Sequence, residues 1–368
     1  MKNRVNVIAL LAAASVLIVA AIAFTYVLEF SGTPAAGPAK TYGGGDGIVA
    51  SSTLAPVETP APAAASPVSS NPATTTPAPA AAQLPLAAAA QAAAASGKGR
   101  TTARTLPPAP TSFGFVISSF NMLGNSHTAS GGKDARMASG TTRTHWALDV
   151  LNHHAVDVAG FQEFQTPQVR EFLARAGSTY AVYPGLALGD RNAENSLAWR
   201  TSVFDVVETH TVDIPYFNGN VRQMPYVLLR HKATGALAWF INVHNPADTR
   251  QFPDQERWRD RATAIEIDLI RQLDATRTPV FITGDMNERE DYFCAMTSRT
   301  SMHAARGGTN VGGVCDARRP RAVDWIFGSS QVSFPMYFED RGSLVQRTTD
   351  HPVILAKAQL PIPAAARR

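Results

Sequence analysis

The 368 residues would suffice for two average domains, but the first third is too poor in large apolar side chains to fold as one. The formal charge of +4 is concentrated there: residues 1–110 hold six Lys/Arg against three Asp/Glu, leaving 27 against 26 in residues 111–368. So nearly neutral a region lacks the electrostatic footprint of a protein that binds nucleic acid tightly and without sequence preference, and two cysteines, Cys294 and Cys315, are too few and too far apart for a zinc site.

In chain order, the first feature is an uncharged run from Val5 to Leu28, preceded by Lys2 and Arg4. As a helix it would span about 36 Å, enough to cross a hydrocarbon core of roughly 30 Å. Residues 1–30 are therefore expected to be a signal anchor with a cytoplasmic N-terminus. The rival is a cleaved signal peptide, since Ala21-Ile22-Ala23 has the small-x-small form of a cleavage site. The run continues past it to Leu28, which favours the anchor. Either reading places the folded part outside the cytoplasm, on the cell membrane as a single-pass protein or secreted. Residues 31–110, dominated by Ala, Pro, Thr, Ser and Gly, cannot bury enough apolar area to offset their ordering entropy and read as a disordered tether. Residues 111–368 form the expected catalytic domain.

Phe113–Phe120 alternates like a strand and breaks at Asn121. Trp146, Val150 and His154 have helical spacing and lead into a strand at Val156–Phe161, which ends at Gln162-Glu163. Thr166-Pro167 reads as an N-cap followed by proline at the first helical position. Short strands are expected at 180–183, 196–199 and 203–207. Strands at 227–230 and 238–243 flank Ala233-Thr-Gly235, a hairpin signal, and the second ends at His244. Residues 255–273 form an amphipathic helix whose Arg257, Arg259 and Arg261 read as a solvated face. Further strands follow at 323–328 and 353–358. No internal repeat is visible. Mixed strands with helices between them suggest two sheets packed together under helices.

The stretch Pro279-Val-Phe-Ile-Thr-Gly-Asp285-Met-Asn287 organises the rest. Its apolar run reads as a buried strand. Alternation would put Asp285 and Asn287 on one face and Met286 in the core, with Gly284 clearing room for a ligand to approach the backbone. Asp324, inside Val323-Asp-Trp-Ile-Phe327, is costly without a partner, and a histidine held by it would compensate. In an oxidising compartment a Cys294–Cys315 disulfide would close a loop of about 20 residues and stabilise by roughly 3 kcal/mol. Ser130-Gly-Gly-Lys133 lacks the Ser/Thr a phosphate-binding P-loop needs after its lysine. The adjacent His153 and His154 make a poor metal pair.

Polar residues thus stand at strand end after strand end. The order Phe120-Asn121, Gln162-Glu163, Val243-His244, Gly284-Asp285-Met-Asn287, Val323-Asp324-Trp and Thr349-Asp350-His351-Pro352 resembles the endonuclease/exonuclease/phosphatase superfamily over nearly all of 115–357. The resemblance implies an α/β (α+β) four-layer sandwich, two mixed β-sheets packed face to face and covered by helices, and metal-dependent cleavage of a phosphate ester. It implies Glu163 as principal ligand of Mg²⁺ (or Mn²⁺), helped by Asn121 and Asp350. His351, oriented by Asp324, would contact the phosphate or accept a proton. Asp285 would position or deprotonate the attacking water, Asn287 would hold a phosphate oxygen, and His244 would stabilise developing charge. Whether Asp285 or His351 is the base stays open. The expected partner is a phosphate-ester substrate, with nucleic acid, phospholipid head groups and small esters all candidates; the membrane is engaged through the N-terminal helix, and the chain is expected to be a monomer. Residues 248–254 and 291–322 read as loops that shape specificity. The rival function is a membrane-tethered binding module on a disabled hydrolase scaffold.

Overall fold

The computed structural model describes residues 111–362. The expected anchor (1–30) and tether (31–110) lie outside the described residues, and among those described no helix is long and apolar enough to cross a membrane.

The chain runs β1 (Ser112–Asn121), α1 (Gly140–His153), β2 (Val158–Gln162), α2 (Thr166–Ala176), β3 (Tyr180–Tyr183), α3 (Asp190–Ala193) and β4 (Ser196–Arg200). It continues through β5 (Phe204–Pro215), β6 (Val221–His231), β7 (Leu237–His244), α4 (Glu256–Asp274), β8 (Val280–Asp285) and α5 (Glu290–Arg299). Three short strands follow, β9 (His303–Ala304), β10 (Thr309–Val311) and β11 (Val314–Asp316). The domain closes with β12 (Asp324–Gly328), β13 (Ser333–Asp340), α6 (Ser343–Thr348) and β14 (Val353–Pro361). Two six-stranded sheets result, in the orders β13-β14-β1-β2-β4-β3 and β5-β6-β7-β8-β12-β9. Each is antiparallel except for one central parallel pair, β1 with β2 and β7 with β8.

Three apolar layers follow from the alternation of the strands. One lies between the sheets, where Phe115, Phe204, Phe240 and Phe281 pack ring on ring. A second joins the first sheet to α1, α2 and α6. A third joins the other sheet to α4 and α5. Within the inter-sheet layer lies a polar patch. The Asn242 carboxamide accepts from Gln162 Nε2 (2.6 Å) and Thr283 Oγ1 (3.1 Å) and donates to the Phe161 carbonyl (2.7 Å), so one β7 side chain ties both sheets.

The expected strands and the 233–235 hairpin are present, and the 255–273 helix is α4 to within a residue at each end. Several local readings are corrected. The cap of α2 is Gln165, whose backbone N–H donates to Gln168 Oε1 (3.3 Å), while the Thr166 hydroxyl bonds Asp190 instead. On α1 the fully buried positions include Arg143, Ala147 and Leu151; Trp146 is only half-buried. Arg259 is not solvated: it is 7% exposed, held by Asp248 (2.8 Å), Glu288 (3.0 Å) and the Pro246 carbonyl (3.0 Å). Residues 291–322 hold most of α5 and the β10–β11 hairpin, which Cys294–Cys315 joins across a Cα separation of 5.8 Å.

At Gly160 the sheets leave no room for a side chain: a Cβ there would lie 2.0 Å from Thr283 Oγ1 and 2.4 Å from Asn242 Oδ1. Gly160→Ala should therefore overpack the interface and lower stability by roughly 3 kcal/mol, read as a lower urea midpoint with an unchanged slope.

Candidate active site

The topology brings the polar strand ends to one edge of the sandwich. Asn121 pairs with Gln162 across the parallel ends of β1 and β2, so Glu163 emerges beside it. His244 pairs with Asp285 at the matching ends of β7 and β8. Antiparallel β12 starts with Asp324 opposite Asp285. Antiparallel β14 begins beside the end of β1, and Thr349 Oγ1 donates to the Asn121 carbonyl (2.7 Å), which fixes Asp350 and His351 just before it.

Asp285 is the centre. It is 2% exposed, and its Oδ2 lies 3.1 Å from Asn121 Nδ2, 3.6 Å from His244 Nε2 and 3.7 Å from His351 Nε2. Its Oδ1 accepts from the Asn287 N–H (3.0 Å). Met286 is fully buried, as alternation requires, but Asn287 has φ +51° and is swung round by this Asx turn rather than by an extended chain. Its Nδ2 donates to the Asn245 carbonyl (2.7 Å). Gly284 serves strand packing and not ligand approach: a Cβ there would meet the Val243 carbonyl at 2.5 Å.

His351 Nδ1 lies 3.0 Å from Asp324 Oδ2, the pairing that the buried aspartate demanded. Burial alone would lower the His351 pKa, but the charges of Asp324, Asp285 and Asp350 outweigh it and raise it to about 10. Burial pushes Asp324 up, opposed by the His351 imidazolium.

Glu163 sits at φ +54°, a region uncommon for a side chain of this kind. Its Oε1 accepts from Asn121 Nδ2 (3.2 Å) and its Oε2 from the Gly124 N–H (2.9 Å), with His127 Nε2 at 3.1 Å. Burial opposes its ionisation, yet the His127 hydrogen bond, the His244 charge and the Gly124 N–H hold its carboxyl well below the usual range. Asn121 Oδ1 accepts from the Leu123 N–H (2.9 Å), so the amide nitrogen, not the oxygen, faces the two carboxylates. Asp350 Oδ2 is 3.3 Å from Lys133 Nζ.

Sequence reasoning missed His127, Tyr216 and the fully buried Arg143 and set Lys133 aside with the Ser130-Gly-Gly-Lys133 loop; His127, Lys133 and Tyr216 all line the cleft. The Tyr216 hydroxyl lies 3.4 Å from His244 Nδ1, and burial beside Glu163 and Asp285 keeps it protonated. Arg143 donates to the carbonyls of Met122, Leu123 and Thr348, stitching the loop after β1 to the segment carrying Asp350. Only Tyr216 had a usable signal, the polar end of β5 once that strand is read as far as Pro215. The cleft measures about 640 Å³ and is bordered by Glu163, His244, Asp285, Asn287 and His351. Residues 249–252 contribute to its wall, and none of the lining comes from 291–322.

The sequence profile described as the Endonuclease/Exonuclease/phosphatase family matches residues 118–351, from β1 to His351. The chain belongs to this family. Its described fold is shared with an endonuclease/exonuclease/phosphatase from Bacteroides vulgatus (18% identity, 67% of this chain and 99% of that one, TM-score 0.54). It is also similar to a humanized TDP2 of D. rerio (16%, 67% and 98%, 0.51). A third likeness is to a mannosyl-6-phosphatase from Bacteroides thetaiotaomicron (16%, 66% and 99%, 0.50). At these identities the likeness is one of fold. No curated protein matches in sequence. Family membership makes the chain a phosphoesterase of the nuclease/phosphatase kind, and Asp285, Asp324 and His351 offer ligand atoms within 4.8 Å of one another, consistent with a divalent-metal enzyme.

Behind the site, Glu266 of α4 is fully buried and accepts from Tyr292 Oη (2.7 Å). Burial raises its pKa to about 7, against the ordinary 4.5. Between those values the folded chain holds a proton that the unfolded chain has lost, so stability falls as pH rises through this window. Glu266→Gln keeps the shape without the charge. Its urea stability should match wild type near pH 4.5 and exceed it by up to about 3 kcal/mol above pH 7.5.

Proposed function

We propose that this protein is an extracytoplasmic, divalent-metal-dependent phosphoesterase that hydrolyses a phosphodiester or phosphomonoester by in-line attack of water. The observation that carries this is the convergence on one cleft of Glu163, His244, Asp285, Asn287 and His351, which enter from four separate strand ends.

The donor set fits a hard cation. Glu163 and Asp350 offer carboxylate oxygens, which suit Mg²⁺ or Mn²⁺. In this structure both carboxylates are met by cationic or protonatable groups, His127 and Lys133, as a site built around a positive charge would be. Glu163 is the principal ligand, Asp350 assists, and Asn121 holds Glu163 and Asp285 at a fixed separation. A divalent cation there supplies Lewis-acid stabilisation of charge on a phosphate oxygen.

The chain's own residues do the rest. Asp285, between two imidazoles, orients a water and takes its proton. His244 and His351 present Nε2 toward the same carboxylate oxygen and so toward a phosphoryl group placed beside it. Asp324 fixes the ring of His351 through Nδ1, and Asn287 is held to hydrogen-bond a phosphate oxygen. A cleft of this size accommodates a small ester or the end of a single strand. The near-neutral domain argues against an extended duplex track. An N-terminal anchor and a long tether would place the enzyme at the outer membrane surface, within reach of external or lipid phosphate esters.

The test is turnover of a panel with Mg²⁺ or Mn²⁺: DNA, RNA, sphingomyelin, phosphoinositides, a sugar 6-phosphate and bis-p-nitrophenyl phosphate. Asp285→Asn and His351→Asn should each lower kcat by about 10³-fold or more, with circular dichroism unchanged. An intact, metal-loaded chain that turns over no member of the panel would leave the binding-module reading in its place.

A further inference from the structure

Lys133 belongs to none of the strand ends, yet its side chain, 54% exposed, reaches the cleft. It lies 3.3 Å from Asp350 Oδ2 and lines the cleft together with Glu163 and His351. The loop that carries it is tightly folded. Gly132 packs so tightly on the preceding turn that a Cβ would fall 2.2 Å from the His127 carbonyl. That carbonyl accepts from the Asp134 N–H (2.9 Å), closing the loop around Lys133.

A divalent cation on Asp350 and Glu163 would stand next to the Lys133 ammonium. Two positive charges that share the Asp350 carboxylate as neighbour repel each other unless an anion lies between them. Phosphate is the anion that this cleft is read as handling. We propose that Lys133 is a phosphate ligand that makes cation and phosphate binding mutually dependent: it weakens the metal site when the cleft lacks an anion and bridges to the metal-bound phosphate when one is present. The inference rests on the proposed placement of the cation at Glu163 and Asp350. The bland alternative is an exposed Lys–Asp pair of little consequence.

The test is titration of the full-length chain in detergent with Mn²⁺, followed by loss of the free-ion paramagnetic resonance signal, with and without saturating inorganic phosphate. In the wild type, phosphate should tighten Mn²⁺ binding on the order of tenfold, within the usual range for linked sites. Lys133→Met should bind Mn²⁺ alone about tenfold more tightly than wild type and gain less than about twofold from phosphate; Lys133→Arg, which keeps the charge, should restore the coupling. If Lys133→Met matches wild type in both titrations while Glu163→Gln abolishes Mn²⁺ binding, the cation site stands and the role of Lys133 is overturned. If Glu163→Gln binds Mn²⁺ as wild type does, the placement of the cation fails and the proposal fails with it.

Discussion

Everything at the site depends on the two sheets being held at one fixed level relative to each other. An apolar interface alone would set the spacing but not the register, since dispersion and hydrophobic contact are non-directional. The Asn242 carboxamide supplies direction. It accepts from Gln162 of the first sheet and Thr283 of its own, and donates to the Phe161 carbonyl opposite. Sliding one sheet along the other by a residue would strand these groups in an apolar layer, each at a cost of about 1–3 kcal/mol. Gly160, which leaves the room for that cluster, is part of the same device. With the register fixed, Asn121 of one sheet reaches Asp285 of the other at 3.1 Å.

The strand orders reveal a duplication that the sequence does not display. A parallel strand–helix–strand unit, β1-α1-β2, sits in one sheet, and β7-α4-β8 occupies the same place in the other. Each is flanked on one side by the second strand of an antiparallel pair, β14 or β6, and on the other by an antiparallel strand, β4 or β12. The parallel pairs end in Asn121 with Gln162 and in His244 with Asp285. A central parallel pair sends both its carboxyl ends to the same edge, so two such pairs deliver four polar termini to one locus. Glu163 and Asn287 follow two of these termini, the start of β12 adds Asp324, and the loop before β14 adds Asp350 and His351.

Strand-borne site residues were legible because strands impose a period and stop at identifiable breakers. Asp324 could be paired with a histidine in advance because a lone carboxylate in an apolar strand needs a partner, and His351 supplies it. Loop-borne residues obey no such period. His127 and Lys133 reach the site only because a glycine turn folds the chain back on itself, a path that composition does not encode. Arg143 was hidden for another reason: a helical arginine is usually solvated, and only the loop carbonyls that it ties together bury it. Edge strand β13 was missed because its Met336 and Phe338 face solvent, which blurs the in–out alternation. Residues 291–322 were read as a loop around the site, whereas a helix and a disulfide-clamped hairpin keep them away from the cleft.

Two groupings of side chains compete for a cation, and their hydrogen bonds separate them. Asp285, Asp324 and His351 are close enough to share an ion, but His351 Nδ1 is already engaged by Asp324, and Nε2 is the atom that faces Asp285. A cation there would have to break the ion pair that offsets the burial of Asp324 and would leave that carboxylate seeking a new partner. Glu163 makes no comparable demand. Its contacts are an amide, a backbone N–H and the ring of His127, a partly exposed side chain that can turn away. Asp350 is exposed, with Lys133 Nζ 3.3 Å from its Oδ2. Under the proposed function, the aspartate–histidine cluster would be the part of the site that moves protons, and Glu163 and Asp350, beside His127 and Lys133, would be the part that holds the cation.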